Sequence, residues 1–320
     1  MPDVKRENRD GAFMPKTTCL LLVLALLCLC LGSCASTPLG DFSIIGGQKA
    51  IAVQESIYFA HSGHLVNAHN EDGIYALTRG ESTAQLLLEG VSPDRLYYRA
   101  GNLYFVQDSL YSYHIETQQL RPLLIGSYDD FLVTPEGYYL LAQQQLFYYN
   151  NSDILFIDEC DYILGAFGGG IYYVLGGDVY HHNIIQQTIF VYSGFGLRMT
   201  LQDNMLYLDN ERDIYAYDLL SGARRTVHAS AGYIYSYVPY KNSLYVVQSS
   251  LTTTDNVLLE VTMDSSATTT ICTYYGLQKA YRFGQGLVTT SLSGGNYTWQ
   301  TLIDDQLVDI ALEAPASTQQ

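Results

Sequence analysis

The sequence contains seven histidines, and imidazole can ligate metals or move protons near neutral pH. Three of them, His61, His64 and His69, lie close together and are followed by Glu71 and Asp72. Imidazoles and carboxylates in one segment suit zinc or a similar ion. Their spacing matches no established zinc pattern, and a loop does not by itself make ligands converge. A solvated loop between two strands explains them more simply, and the sequence calls for no cofactor. His181 and His182 are adjacent on an expected strand, so they point to opposite faces. Partly buried, hydrogen-bonded rings are expected there.

The arginines carry more information. Arg95, Arg99, Arg198 and Arg282 fall on or beside segments that read as the first strand of a repeated unit. A guanidinium holds a carboxylate or sulfate through two parallel hydrogen bonds. If these four line a common channel, they make an anion site at one of its mouths. The competing expectation is internal pairing with Asp129, Asp130 or Asp161, which begin neighbouring units. Asp203, Asp209 and Asp213 lack the spacing of a calcium loop, and turn capping accounts for them.

No nucleophile elbow, phosphate-binding loop or His-Glu-x-x-His motif is present. Paired glycosidase carboxylates cannot be picked out among the many acidic residues by spacing alone. The formal net charge of −16 opposes phosphate backbones, so a nucleic-acid partner is not expected.

The elements that must position these residues repeat along the chain. Ser56-Ile-Tyr-Phe59, Asn102-Leu-Tyr-Phe-Val106 and Gly137-Tyr-Tyr-Leu-Leu141 state the theme. Gly170-Ile-Tyr-Tyr-Val174, Met205-Leu-Tyr-Leu208 and Ser243-Leu-Tyr-Val-Val247 continue it, and Gly286-Leu-Val-Thr-Thr290 is its most degenerate copy. The aligned positions 58, 104, 139, 172, 207, 245 and 288 are spaced 46, 35, 33, 35, 38 and 43 residues apart. An apolar strand precedes most copies, as in Phe131-Leu132-Val133. A Tyr-rich strand follows, as in Asp213-Ile-Tyr-Ala-Tyr217. A more polar strand closes the unit, as in Ala223-Arg-Arg-Thr-Val227. The 29 tyrosines suit half-buried pleated surfaces.

Four short strands every 35 to 45 residues define a propeller blade. The expected fold is all-β, a seven-bladed β-propeller over residues 45–312, with six or eight blades left open by the irregular first and last copies. The Tyr-rich theme resembles the propeller repeats related to domain of unknown function 5050, found in many secreted and lipid-anchored bacterial proteins. That resemblance is structural and implies no activity. WD40 signature residues are missing, and the single tryptophan is Trp299.

Ahead of the repeats, Leu20 to Leu31 is an unbroken apolar run, too short to span a bilayer comfortably. Lys16 precedes it, and Leu31-Gly32-Ser33-Cys34 follows. This arrangement resembles the lipobox of bacterial lipoproteins, which implies lipid transfer to the Cys34 thiol and cleavage before it. Residues 1–33 then form a signal peptide, with translation expected to start at Met14 because Asp3, Glu7 and Asp10 are foreign to a signal's basic start. Residues 34–44 form a lipidated tether and 313–320 a frayed tail. An uncleaved anchor, or a plain secretory signal cut near Ala35, is the alternative. Only Cys160 and Cys272 remain in the body, on blades nearly opposite each other, and both are expected as free, mostly buried thiols.

The expected location is the extracytoplasmic face of the cell membrane, held by lipid on Cys34. The expected function is a binding or scaffolding module for a protein, peptide or glycan, because no catalytic motif is legible. A glycan-active hydrolase or lyase working at the channel is the alternative, and a sensor domain reporting to a membrane partner is a third reading. Fold alone does not decide among them.

Overall fold

The computed structural model describes residues 49–62, 72–150, 153–183, 188–193, 198–293 and 296–313. Cys34 with its signal and tether, His64, His69 and Glu71 lie outside the described residues. Every regular element described is a β-strand, and none is a helix able to cross a membrane.

The strands form seven sheets, in chain order over residues 50–89, 96–125, 130–159, 162–193, 199–229, 234–274 and 277–309. Each is a four-stranded antiparallel meander whose strands follow one another in space. The sequence theme marks the second strand of every blade, from Ser56–His61 to Gly286–Ser293. The apolar segment before it is the innermost strand and the Tyr-rich segment after it the third.

Blade faces are apolar on both sides, so each must be covered by a neighbour. The buried clusters show this at every interface. Ile51, Ala60 and Ile74 of blade 1 pack with Leu96, Leu103 and Phe105 of blade 2. One larger cluster joins blades 2, 3 and 4 through Leu110, Leu132 and Ile163. Leu164 and Leu206 join blades 4 and 5, Ile214 and Leu244 join 5 and 6, and Val247 and Leu287 join 6 and 7. The seventh interface unites the two ends of the repeat: Phe59, Tyr75 and Leu77 of blade 1 meet Tyr281, Phe283 and Trp299 of blade 7. The ring is therefore closed by seven blades.

The seam is built differently from the other interfaces. The last strand, Ala311–Leu312, leaves blade 7 and pairs parallel with Thr83–Glu89, the outer strand of blade 1. Ala311 N–H donates to the Ser82 carbonyl at 2.8 Å and Glu313 N–H to the Ala84 carbonyl at 3.0 Å. Just inside it, Trp299 lies 4.4 Å from the Phe59 ring and 5.8 Å from Tyr281. The degenerate copy of the theme sits at this seam, and these rings supply the aromatic bulk that it lacks.

A β-bulge recurs between the third and fourth strands of blades 1 to 6, at Ile74/Tyr75, Leu110/Tyr111, Leu146/Phe147, Val179/Tyr180, Ile214/Tyr215 and Leu258/Leu259. Each adds a residue to the outer strand and increases its twist. Two-residue hairpin turns need left-handed backbone at both positions. Gly176-Gly177 meets that need without strain, whereas Gln143 and Gln144 adopt φ of 53° and 61° despite their side chains.

This packing makes the seam and the buried tyrosines testable. Trp299 is only 6% exposed. Trp299→Ala should cost about 3–5 kcal/mol, as for other buried large-to-small changes, read as a lowered urea midpoint by circular dichroism. Phe190→Ala on the exposed rim should stay within about 0.5 kcal/mol. A second prediction concerns alkali. Burial pushes Tyr162, Tyr207 and Tyr245 up to about 12, from an ordinary value of 10.0. The unfolded chain therefore sheds protons that the folded chain keeps. The stability held by these rings is complete below pH 10 and is lost as pH rises from about 10 toward 12. Tyrosinate absorbance should show a fraction of rings ionising only as the strand signal collapses. Smooth titration of all tyrosines before unfolding would contradict it.

Candidate functional site

The innermost strands run side by side around the channel and point the same way. Their contacts show it: starts meet starts and ends meet ends. Asp130, the first residue of blade 3's inner strand Asp130–Val133, accepts from Ile163 N–H near the start of blade 4's Tyr162–Phe167 at 3.0 Å. Ser236 Oγ, near the start of Ile234–Tyr240, donates to the Gln278 carbonyl near the start of Leu277–Phe283 at 2.6 Å. Arg99, the last residue of Leu96–Arg99, donates to the Thr134 carbonyl just past the end of the blade 3 strand.

This common direction divides the four arginines. Arg95 and Arg198 precede their strands and belong to the mouth where the inner strands start. Arg99 and Arg282 lie at or near strand ends, toward the other mouth. They do not form one cluster.

At the starting mouth, Arg95 is ion-paired with Asp130, which is 3% exposed. The same guanidinium reaches the Ile163 carbonyl at 3.5 Å, so one side chain from blade 2 ties to blades 3 and 4. Burial pushes Asp130 above the ordinary carboxylate range, while Arg95 and the N–H groups of Ile163 and Phe131 pull the other way. Internal pairing is thus met at Arg95. Arg198 is held instead by Asp209, which is fully buried: Nε to Oδ2 is 3.1 Å and Nη2 to Oδ1 is 3.5 Å. Arg198 also donates to the Tyr235 carbonyl of blade 6, and Tyr237 Oη donates to the Arg198 carbonyl at 2.6 Å. Asp129 and Asp161 accept instead from Gln143 and Gly176 N–H, each at 2.7 Å, capping the hairpins between second and third strands.

Two lysines complete this mouth, and neither was anticipated from the sequence. Lys49 immediately precedes the inner strand Ala50–Val53 of blade 1 and lies 3.4 Å from the exposed Asp94. Lys279 is the third residue of blade 7's inner strand and is half-buried. A bulge between Leu277 and Lys279 changes the parity of that strand, so Lys279 pairs with Thr290 while Leu277 pairs with Ser291. The two side chains therefore take opposite faces.

Arg282, toward the end of its inner strand, meets an aromatic face. Tyr58 and Tyr98 stack at 6.2 Å, and Arg282 lies 5.5 Å from the Tyr245 ring centroid. Tyr245 Oη and Ser243 Oγ both donate to Glu260, at 2.9 and 2.8 Å.

Among the described histidines, His61 is buried at the end of the blade 1 strand Ser56–His61, with its ring 6.3 Å from Tyr75. No cluster of three or more metal-ligating side chains occurs among the described residues. His181 packs 4.6 Å from the Tyr172 ring, and burial first, then His182, lower its pKa. His182 Nδ1 lies 3.1 Å from Thr188 Oγ1. Among the described residues, the Nε2 atoms of both rings are buried without a hydrogen-bond partner, and the expected hydrogen bond is seen at His182.

Cys160 and Cys272 are free. Burial pushes their thiols up to about 12 and about 11, which leaves them poor nucleophiles.

Outer strands were expected to be polar, and several of those described expose large apolar side chains, most densely in blades 3 and 4. Ile154, Leu155 and Phe156 in the outer strand of blade 3 are 68%, 51% and 53% exposed. Ile189 and Phe190 in that of blade 4 are 53% and 55% exposed. Blade 2 also exposes Leu120 and Ile125, at 43% and 90%, but most other outer strands carry charge, proline, polar residues or a covering strand. Blade 2 carries Arg121 and Pro122, blade 5 Arg224 and Arg225, blade 6 a run of threonines, and blade 1 is covered by Ala311–Leu312.

No family model and no curated protein matches the chain. Solved structures match it at the level of fold. One is PorZ, a surface component of the type-IX secretion system of Porphyromonas gingivalis, at 9% identity and a TM-score of 0.51, covering 86% of this chain and 39% of that one. Another is the extracellular domain of BT4673 from B. thetaiotaomicron, named as a hybrid two-component system, at 11% identity and a TM-score of 0.54, covering 79% of this chain and 38% of that one. A chain of the mitotic checkpoint complex matches at 12% identity and a TM-score of 0.53, covering 81% of this chain and 92% of that one. This chain spans about two fifths of the two bacterial proteins. The likeness shows a β-propeller.

Proposed function

We propose that this chain is a lipid-anchored, extracytoplasmic binding module whose propeller docks a protein partner along the rim of blades 3 and 4. The observation that carries it is the bare apolar edge of those two neighbouring blades. Native sheets shield free edges with charge, proline or a covering strand, as other blades here do. Contiguous exposed apolar surface on a soluble domain marks an interaction site. Burying Phe156 and Phe190 against a partner would contribute roughly 1.5–3 kcal/mol each before ordering costs. Unpaired backbone groups beside them also offer hydrogen bonds to an added strand.

The anchor rests on Leu31-Gly32-Ser33-Cys34 behind the apolar run. Two or more acyl chains on Cys34 would hold the domain stably, where one chain binds only marginally. That two bacterial propellers of similar fold are a surface component and an extracellular domain is in keeping with this location. The resemblance to the 5050-type repeats belongs to the same reading.

The anchor is tested by Cys34→Ala or by globomycin, which blocks lipoprotein signal cleavage. Either should change the mass and release or mis-process the protein. Unchanged mass and membrane attachment after Cys34→Ala would remove the lipoprotein reading. The rim is tested by a photo-crosslinking residue in place of Phe156 in cells, with the same residue at Thr270 of blade 6 as control. A discrete adduct with another protein is expected from position 156 alone, and Phe190→Asp should reduce it at least tenfold. Equal labelling from both positions, or an adduct only with a second copy of this chain, would overturn the rim assignment.

A further inference from the structure

Blades 3 and 4 differ from the rest of the ring in charge as well as in their rim. Residues 130–193, which span both blades, contain seven Asp or Glu and no Lys or Arg. A fifth of the chain thus carries close to half of the net charge of −16. Burial lowers the pKa of His181 and His182, so neither adds positive charge near neutral pH. Arg95 of blade 2 answers Asp130 at the innermost strand. The other six carboxylates have no Lys or Arg within their own two blades.

Three of those carboxylates bracket the bare edge. The outer strand of blade 3 runs Asp153-Ile-Leu-Phe-Ile-Asp-Glu159, so its apolar centre has acid at both ends. Asp153 and Glu159 are exposed. Asp158 is held in place: Tyr173 Oη of blade 4 donates to it at 2.6 Å and Glu159 N–H at 2.9 Å. Ile154, Leu155 and Phe156 are all more than half exposed. Alternation puts Ile154 and Phe156 on one face of the sheet and Leu155 on the other. A further strand laid along this edge would therefore meet apolar neighbours on both faces. At about 3.3 Å per residue, the acidic ends lie roughly 20 Å apart, the length of an ordinary strand.

The charges decide which occupant fits. A second copy of this strand, added in register, would set acid against acid at both ends whether it ran parallel or antiparallel. Like charges directly opposite each other destabilise paired strands. An anionic lipid surface would be repelled as well. A segment with cations at both ends would be attracted at both.

We infer that the outer strand Asp153–Glu159 receives an extended segment of a protein partner as a fifth strand of blade 3, with an apolar centre and Lys or Arg at each end. This inference rests on the rim reading above and adds to it the mode of binding and the chemistry of the partner. Main-chain hydrogen bonds along the edge supply affinity, and the flanking side chains supply specificity.

Fluorescence anisotropy with labelled peptides and the purified protein in detergent tests it. The probes are Lys-Lys-Ile-Thr-Val-Thr-Ile-Lys-Lys, the same peptide with Glu for every Lys, and the Lys peptide with each central amide N-methylated. The Lys peptide should bind saturably, at least tenfold tighter than the other two. Replacing Asp153 and Glu159 together, Asp153→Lys with Glu159→Lys, should reverse the preference between the Lys and Glu peptides. The chain stays strongly acidic after that exchange, so attraction by its overall charge would still favour Lys. Acids that serve only as gatekeepers against aggregation would give no reversal either. No binding of the Lys peptide, equal binding after N-methylation, or an unreversed preference in the double variant would each overturn the added strand. A protein adduct from position 156 that persists alongside such a result leaves the rim reading standing, whereas loss of that adduct removes both. Adducts from position 156 with phospholipid in place of protein would assign the edge to the membrane and overturn the inference.

Discussion

Every blade of this protein has two apolar faces and can satisfy neither alone. That single constraint governs the rest of the structure. Six of the seven interfaces join blades consecutive in sequence, so local chain connectivity brings their faces together. The seventh must join residues some 240 positions apart, such as Phe59 and Trp299. It receives the molecule's only tryptophan, two further aromatic rings from blade 7 and an added parallel strand. Closing a long loop costs entropy that rises only slowly with its length, but local pairing does not offset it. The heavier packing at the seam is the physical answer to that cost.

The fold was legible in the sequence because its constraint acts on every blade alike. A strand buried on both faces tolerates few residue types, so Leu103-Tyr-Phe-Val106 and Ile171-Tyr-Tyr-Val174 look alike despite different neighbours. The second-strand theme located all seven blades, including Gly286–Thr290, where Val288 stands in place of the tyrosine. The pairing of Arg95 with Asp130 was also open to sequence reasoning, because both lie at the starts of adjacent inner strands. What the pattern did not carry is parity. A bulge adds one residue and reverses the faces that follow, with no residue type that announces it. Lys279 was hidden for that reason. Arg99 and Arg282 were grouped with Arg95 and Arg198 because nearness to an inner strand says nothing about which end of it a residue occupies. The bare rim was missed for a different reason: Ile154-Leu155-Phe156 reads as one more buried strand until its place in the sheet is known.

The charge distribution gives the two mouths different characters. At one, buried carboxylates hold guanidinium groups rigid between blades, and removing either partner of such a pair would strand the other's charge in poorly solvated surroundings. Arg95 and Arg198 therefore serve the ring as well as the mouth: each crosses from its own blade to a backbone carbonyl of another. Toward the opposite end, Arg99 reaches the Thr134 carbonyl, and Arg282 meets the Tyr245 ring where Arg95 meets a carboxylate. An inner strand is short, so each end samples a different set of loops, and the same repeated backbone yields two chemically distinct openings.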